Sequence, residues 1–189
     1  MSKRYATIVA DPPWRYDEGF PQGSVPGVGR GGSRMRSTVP LPYPSLSVDE
    51  IAALDVPALA ARSAWLFVWT TNKYLPQTFG IIEAWGFTYT QTITWRKTGC
   101  PSPFVTSVAP SHSEFLLAAK RGDPARLGSF PSSVVDAPAQ SQHSRKPDVF
   151  MDYIEAISDG PYLEMFSRRA RFGWDTWGNQ ALAHVELSA

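Results

Sequence analysis

The sequence predicts an α/β domain with helices on both faces of a sheet. Three observations predict it. Short apolar runs rich in β-formers recur along the chain, at YATIVA (5–10), AWLFVWT (64–70), EFLLAA (114–119) and PYLEMF (161–166). Stretches of helical character alternate with them, as in a sheet whose crossovers are helices. The 189 residues are enough for one domain with a sizeable core and short for two.

Tyr5–Ala10 reads as a buried strand stopped by Pro12-Pro13. The stretch that follows, about 16–44, is rich in Gly, Ser and Arg, has little to bury, and is expected to be a mobile loop. Ser47-Val-Asp-Glu50 fits a capping box opening a short helix through about Leu54. Ala64–Thr70 is the second strand, and Lys73–Trp85 a helix ended by Gly86. Phe87–Lys97 alternates Thr with aromatic residues, the pattern of a half-exposed strand. A Pro- and Ser-rich loop (98–113) leads to the strand Glu114–Ala119. Residues 122–147 read as a further mobile loop around a short strand near Ser133–Val135. Pro147 suits the first turn of a helix to about Ser158. Pro161–Phe166 and Gly173–Gly178 close the chain's strand set, giving a single domain over 1–189.

The net charge is +1, with 18 basic and 17 acidic residues, so no overall basic footprint marks a nucleic-acid partner. Residues 1–40 nevertheless carry six basic groups against three acidic ones. The single Cys100 excludes a disulfide framework and a Cys-based metal site, and His112, His143 and His184 lack metal-ligand spacing. No apolar run approaches eighteen residues, from which a protein without a membrane partner and with a cytoplasmic location is expected.

In open α/β sheets, ligands sit beyond the carboxyl ends of strands. Asp11-Pro12-Pro13-Trp14 occupies that position after the first strand, and Ser167-Arg-Arg169 after a late one. Two prolines fix φ and remove two N–H donors, leaving rigid carbonyl acceptors. Asp11 adds a carboxylate and Trp14 a flat apolar face. A planar heterocycle with an exocyclic amine, such as adenine N6 or cytosine N4, suits such a niche. Acceptors on both N–H bonds free the nitrogen lone pair and stabilise the positive charge that grows as it attacks an electrophile. The plainer reading is a turn before Pro-Pro with Trp14 as a core anchor.

At these residues the chain resembles the MT-A70 family of adenine-N6 methyltransferases. The resemblance also takes in Leu41-Pro-Tyr-Pro-Ser-Leu-Ser47, Phe67-Val-Trp-Thr-Thr-Asn-Lys-Tyr-Leu75, Trp95-Arg-Lys-Thr-Gly99, His143-Ser-Arg-Lys-Pro147, Tyr162-Leu-Glu-Met-Phe-Ser-Arg-Arg169 and Trp174-Asp-Thr-Trp-Gly-Asn-Gln180, in one collinear order. It implies a Rossmann-like class I methyltransferase fold, an α-β-α sandwich with a mixed central sheet and a permuted motif order. S-adenosylmethionine is the implied cofactor, and the implied reaction is methylation of adenine N6 in nucleic acid, DNA favoured over RNA. The alternatives are cytosine-N4 methylation and a non-catalytic methyltransferase-like subunit. By analogy with bacterial or phage modification enzymes, the substrate is associated with the nucleoid, and a second protein chain is expected to supply target recognition.

The resemblance also implies roles. Asp11 and Pro12 hold the target amine and border the cofactor, Pro13 shapes the loop, and Trp14 flanks the base. Tyr43, Lys97 and Glu114 line the substrate side. Lys146, Glu164, Phe166, Arg168, Asn179 and Gln180 hold the cofactor. Glu164 lies inside an apolar strand and needs a partner, which is a ligand hydroxyl or an ion pair with Arg168 or Arg169. Lys146 sits at a predicted helix start, where the helix dipole disfavours a cation. Trp65, Phe67, Trp69 and Trp85 are expected in the core. Arg30, Arg34 and Arg36 stand beside the niche as candidates for gripping a phosphate backbone. The reading requires that the DPPW niche is not filled by the protein's own side chains and that the late acidic strand lies close to it.

Overall fold

A computed structural model describes residues 3–15, 45–99, 109, 111–139, 145–167 and 169–177. Its centre is a seven-stranded mixed sheet in the order β5-β3-β4-β2-β1-β6-β7. The strands are β1 (Tyr5–Ala10), β2 (Ala60–Thr70), β3 (Thr88–Thr98), β4 (Ser113–Arg121), β5 (Val134–Pro138), β6 (Tyr162–Met165) and β7 (Trp174–Trp177). β1 pairs in parallel with β2 and β6, β6 with β7, and β3 with β5, whereas β4 runs antiparallel to both β2 and β3. The helices are α1 (Val48–Ala52), α2 (Val56–Leu59), α3 (Leu75–Ala84) and α4 (Asp148–Ile157).

The two-residue period of the strands divides the core. Ile8 and Ala10 of β1, Leu66 and Val68 of β2, and Leu117 and Ala119 of β4 face Ile51, Val56, Ile81 and Ile82 of α1, α2 and α3. Their neighbours Val9, Phe67, Trp69, Leu116 and Ala118 face Phe150, Met151, Ile154 and Ile157 of α4. Central strands buried on both faces must be apolar throughout, which is why these runs stand out in the sequence. The layered α/β architecture and mixed sheet are therefore as expected.

The local signals act as read. Ser47 Oγ accepts from the Glu50 N–H at 3.2 Å, and Glu50 Oε2 accepts from the Ser47 N–H at 2.7 Å, closing the capping box of α1. α3 ends where Gly86 takes φ 75° and the Phe87 N–H reaches back to the Ile82 carbonyl at 3.0 Å. A side chain at that φ would be strained, so glycine is the natural stop. Four elements differ from expectation. α3 starts at Leu75 rather than Lys73, because Asn72–Tyr74 form a turn closed by the Tyr74 N–H on the Thr71 carbonyl at 3.0 Å. α2 has too few residues to show periodicity; its signal is the Asp55 cap, whose Oδ1 accepts from the Ala58 N–H at 3.1 Å, followed by Pro57. β2 begins at Ala60, and β5 extends to Pro138, which an edge strand tolerates. The expected loop 16–44 lies outside the described residues, as do most of 98–113 and part of 122–147.

Candidate active site

β1 and β6 are hydrogen-bonded neighbours in register, with Val9 opposite Glu164 and Ala10 opposite Met165. Asp11 is the first residue beyond β1, and its N–H points to the Met165 carbonyl at 3.5 Å. The niche and the late acidic strand therefore lie side by side.

Alternation then sorts the polar residues. Asp11, Glu164, Glu114 and Lys97 each fall in phase with side chains that face α4: Val9, Leu116 and Trp95 respectively mark that face on β1, β4 and β3. β4 runs backwards, so its amino-terminal Glu114 reaches the rim where the other central strands end. Lys146 arrives at the same rim from just before α4.

The result is a row of alternating charges. Lys146 Nζ lies 2.9 Å from Asp11 Oδ1 and 3.3 Å from Glu114 Oε2, and Lys97 Nζ lies 2.6 Å from Glu114 Oε1. The side chains of Asp11, Lys146 and Glu114 are 24%, 17% and 14% exposed, so these are largely desolvated pairs. Trp69 and Trp95 lie beneath the two ammonium groups, at 5.5 and 4.9 Å from the ring centroids. Burial pushes Lys146 down, yet Asp11 and Glu114 outweigh it and hold the ammonium charged beyond its usual range. Burial pushes Glu114 up, and the charges of Lys146 and Lys97 bring it below the usual carboxylate range. The cation that looked misplaced at a helix start thus has its counter-charges on the sheet.

Glu164 behaves oppositely. Burial raises its proton affinity above the carboxylate norm; the Ser167 hydroxyl counteracts this, and the charge of Asp11 adds to it. Ser167 Oγ lies 3.1 Å from Glu164 Oε2 and 2.6 Å from the Arg169 carbonyl. Ser167 Oγ also accepts from the Arg169 N–H at 3.4 Å, and its one proton is shared between Glu164 and the Arg169 carbonyl. Arg169 pairs with Asp148, not with Glu164. Phe166, next along, has φ 61°, a left-handed conformation rare for an aromatic residue, with its ring edge-on to Trp177 at 5.0 Å.

The DPPW segment departs from expectation in two respects. Its carbonyls are partly engaged: Pro12 O accepts from the Trp14 N–H and Pro13 O from the Leu46 N–H, each at 2.9 Å, which leaves one lone pair apiece. Trp14 is 5% exposed and stacks on Tyr74 at 4.7 Å and 12° between planes, so its ring is packed in the core instead of lining an open niche. The plainer reading of Trp14 is the one the packing obeys. Phe67, Trp69 and Trp85 are buried as expected, and Trp65 is half-buried. Tyr43, Arg30, Arg34, Arg36, Arg168, Asn179 and Gln180 lie outside the described residues. Sequence reasoning passed over Arg15, Lys73 and Tyr74, which gather beside the DPPW loop; the signal was a cation directly after the motif and another directly before a helix.

S-adenosylmethionine is a nucleoside bearing a sulfonium cation. The residues here fit it in kind: an acid at the end of β6 able to meet hydroxyls, an aromatic ring at Phe166, and the carboxylate of Asp11 to face positive charge.

A family model described as MT-A70 matches residues 5–180. The chain is 32% identical over 184 residues to the Type II methyltransferase M.MunI of a Mycoplasma species, covering 93% of this chain and 77% of that protein. It is 28% identical to a probable N(6)-adenosine-methyltransferase MT-A70-like protein of Oryza sativa subsp. japonica, covering 94% of this chain and 23% of that one. The N(6)-adenosine-methyltransferase catalytic subunit METTL3 of Homo sapiens is 26% identical, with 94% and 28% covered. The chain thus spans about a quarter of the length of these eukaryotic relatives.

Proposed function

This chain belongs to the MT-A70 family of methyltransferases, and we propose that it uses S-adenosylmethionine to methylate the N6 amine of adenine in nucleic acid, with DNA as the favoured substrate. The observation that carries the reading is the in-register pairing of β1 with β6, which sets Asp11 against the strand of Glu164. The N6 position follows the relatives named for N(6)-adenosine. DNA is favoured because the chain covers most of the bacterial Type II enzyme and only a quarter of the adenosine methyltransferases.

S-adenosylmethionine, when bound, would supply an electrophilic methyl group. Glu164 and Phe166 would hold it, and the family resemblance assigns Arg168, Asn179 and Gln180 to it as well. Asp11 and the remaining lone pair of Pro12 would accept the two N–H bonds of the target amine, freeing its nitrogen lone pair to attack that methyl group as S-adenosylhomocysteine leaves. Lys146 fixes one oxygen of Asp11. Lys146 is held charged and has no lone pair to take a proton, and the cations beside Glu114 make that carboxylate a weak base, so the surplus amine proton leaves to solvent. Lys97 and Glu114 form the substrate-side wall. The target base is drawn from a single strand or flipped out of a duplex.

Incubation with methyl-labelled cofactor and matched single-stranded and duplex DNA and RNA, followed by nucleoside analysis, tests the reading. N6-methyladenosine of either sugar type is the expected product, with more from DNA. N4-methylcytosine, or no product together with no cofactor binding by calorimetry, would overturn it.

A further inference from the structure

On the α1/α3 side of the DPPW loop, opposite the row of charges, the described residues form a second cavity of about 320 Å³. Arg15, Ser47, Lys73, Tyr74 and Gln77 line it with Leu46 and a valine. We propose that this cavity is a phosphodiester subsite, which grips the nucleic-acid strand beside the nucleotide whose base enters the active site. It rests on the function proposed above and adds the place where the backbone is held.

Charge comes first. The described lining carries two cations and no acid. Its neutral polar members, the Ser47 hydroxyl and the Gln77 amide, are both able to donate to phosphate oxygens. Arg15 and Lys73 each bring a positive charge to the phosphate oxygens.

Rigidity comes second. The Tyr74 hydroxyl donates to the Arg15 carbonyl. The Arg15 guanidinium reaches Glu50 Oε2 at 3.2 Å and the Ser45 carbonyl at 3.4 Å through a single terminal nitrogen. Its remaining geometry is thereby set by the α1 cap and not by a free side chain. Stacking is not what the cavity offers. Trp14 lies against the Tyr74 ring at 4.7 Å, and the Lys73 ammonium lies over the same ring at 5.0 Å from its centroid. Trp14 covers one face of the Tyr74 ring, so the occupant recognised here is mainly charge and oxygen, the part of a nucleic acid that is the same at every nucleotide.

Position comes third. Arg15 directly follows Trp14, and Lys73 lies between the carboxyl end of β2 and α3, on the same rim of the sheet as Asp11. A strand delivering a base to Asp11 passes Arg15 next.

The test measures binding of a fluorescent oligonucleotide by anisotropy across a salt series, alongside turnover, for the wild type, Lys73→Gln, Arg15→Gln and Arg62→Gln. Arg62 is an exposed cation toward the opposite end of β2. The expected result for Lys73→Gln is severalfold weaker binding, with the slope of log K against log salt shallower by about 0.7 to 0.9, as for one lost phosphate contact. Its KM for the oligonucleotide rises severalfold while cofactor affinity stays unchanged, Arg15→Gln weakens binding further, and Arg62→Gln matches the wild type. An unchanged slope and KM in Lys73→Gln beside an active wild type overturn the subsite alone. A shallower slope beside a wild type that makes no N6-methyl product supports the subsite and overturns the catalytic reading.

Discussion

Replacing Lys146 by Met removes the ammonium while keeping most of the stem that packs over Trp69. Asp11 and Glu114 then face each other without the charge that joined them at 2.9 and 3.3 Å. Breaking a fully buried pair costs about 3–5 kcal/mol, and an exposed one about 0–1. With all three side chains a quarter exposed or less, and Lys97 still on Glu114, the expected loss is about 2–3 kcal/mol. For a chain of this length that corresponds to a Tm lower by roughly 5–10 °C. The pH dependence follows from the directions of the shifts. Lys146 is raised above 10.5, so its contribution is complete below that value and lost only as pH climbs through the folded value. Glu114 is lowered from 4.5, so its contribution is present above that value and lost as pH falls through the folded one. The difference between wild type and Lys146→Met is therefore widest near neutrality and shrinks as acid neutralises Glu114 below its usual range. Urea unfolding at pH 3 and pH 8 measures it. A difference below about 0.5 kcal/mol, or one equal at both pH values, refutes the reasoning.

Asp11→Ala is expected to lower kcat by at least about 100-fold while leaving cofactor affinity within a few-fold; calorimetry with single-turnover assays decides, and lost cofactor binding with normal turnover of the bound fraction would contradict its assignment. Glu164 has its proton affinity raised, so the folded state loses stability as pH climbs past 4.5 and the buried acid is forced to ionise. Glu164→Gln escapes that loss: its Tm should exceed the wild type's at pH 8 and match it near pH 4, with weakened cofactor binding at both, and parallel Tm curves would count against a strained acid. Replacing Arg30, Arg34 and Arg36 together by Ala should weaken oligonucleotide binding and flatten its salt dependence, and an unchanged slope removes their proposed grip on the backbone.

The sheet was legible in the sequence because strands buried on both faces cannot hide: Val9, Phe67, Trp69 and Leu116 had to be apolar to meet α4, while Ile8, Leu66 and Leu117 had to be apolar to meet α3. Caps were legible because Ser47 and Gly86 act through their own backbone. The direction of β4 was not, since a strand's pattern reads the same both ways. Lys97, Glu114 and Lys146 were each singled out through the family resemblance, but no spacing rule tells that they form one chain of charge with Asp11; that depends on strand order. Trp14 misled for the same reason. A tryptophan after Pro-Pro reads equally as a base-flanking wall or as a core anchor, and the choice was made by Tyr74, sixty residues away in sequence.

The placement of β1 between β2 and β6 bears on how the enzyme comes into being. Its second neighbour is made only when residues 162–165 emerge from synthesis, so the strand leading to Asp11 waits for about 150 residues with one side open. Pairings this distant along the chain are slow to close, because the intervening loop must be ordered first. The proposed site is thus completed only after β6 has joined β1, and a nascent chain lacks it until then.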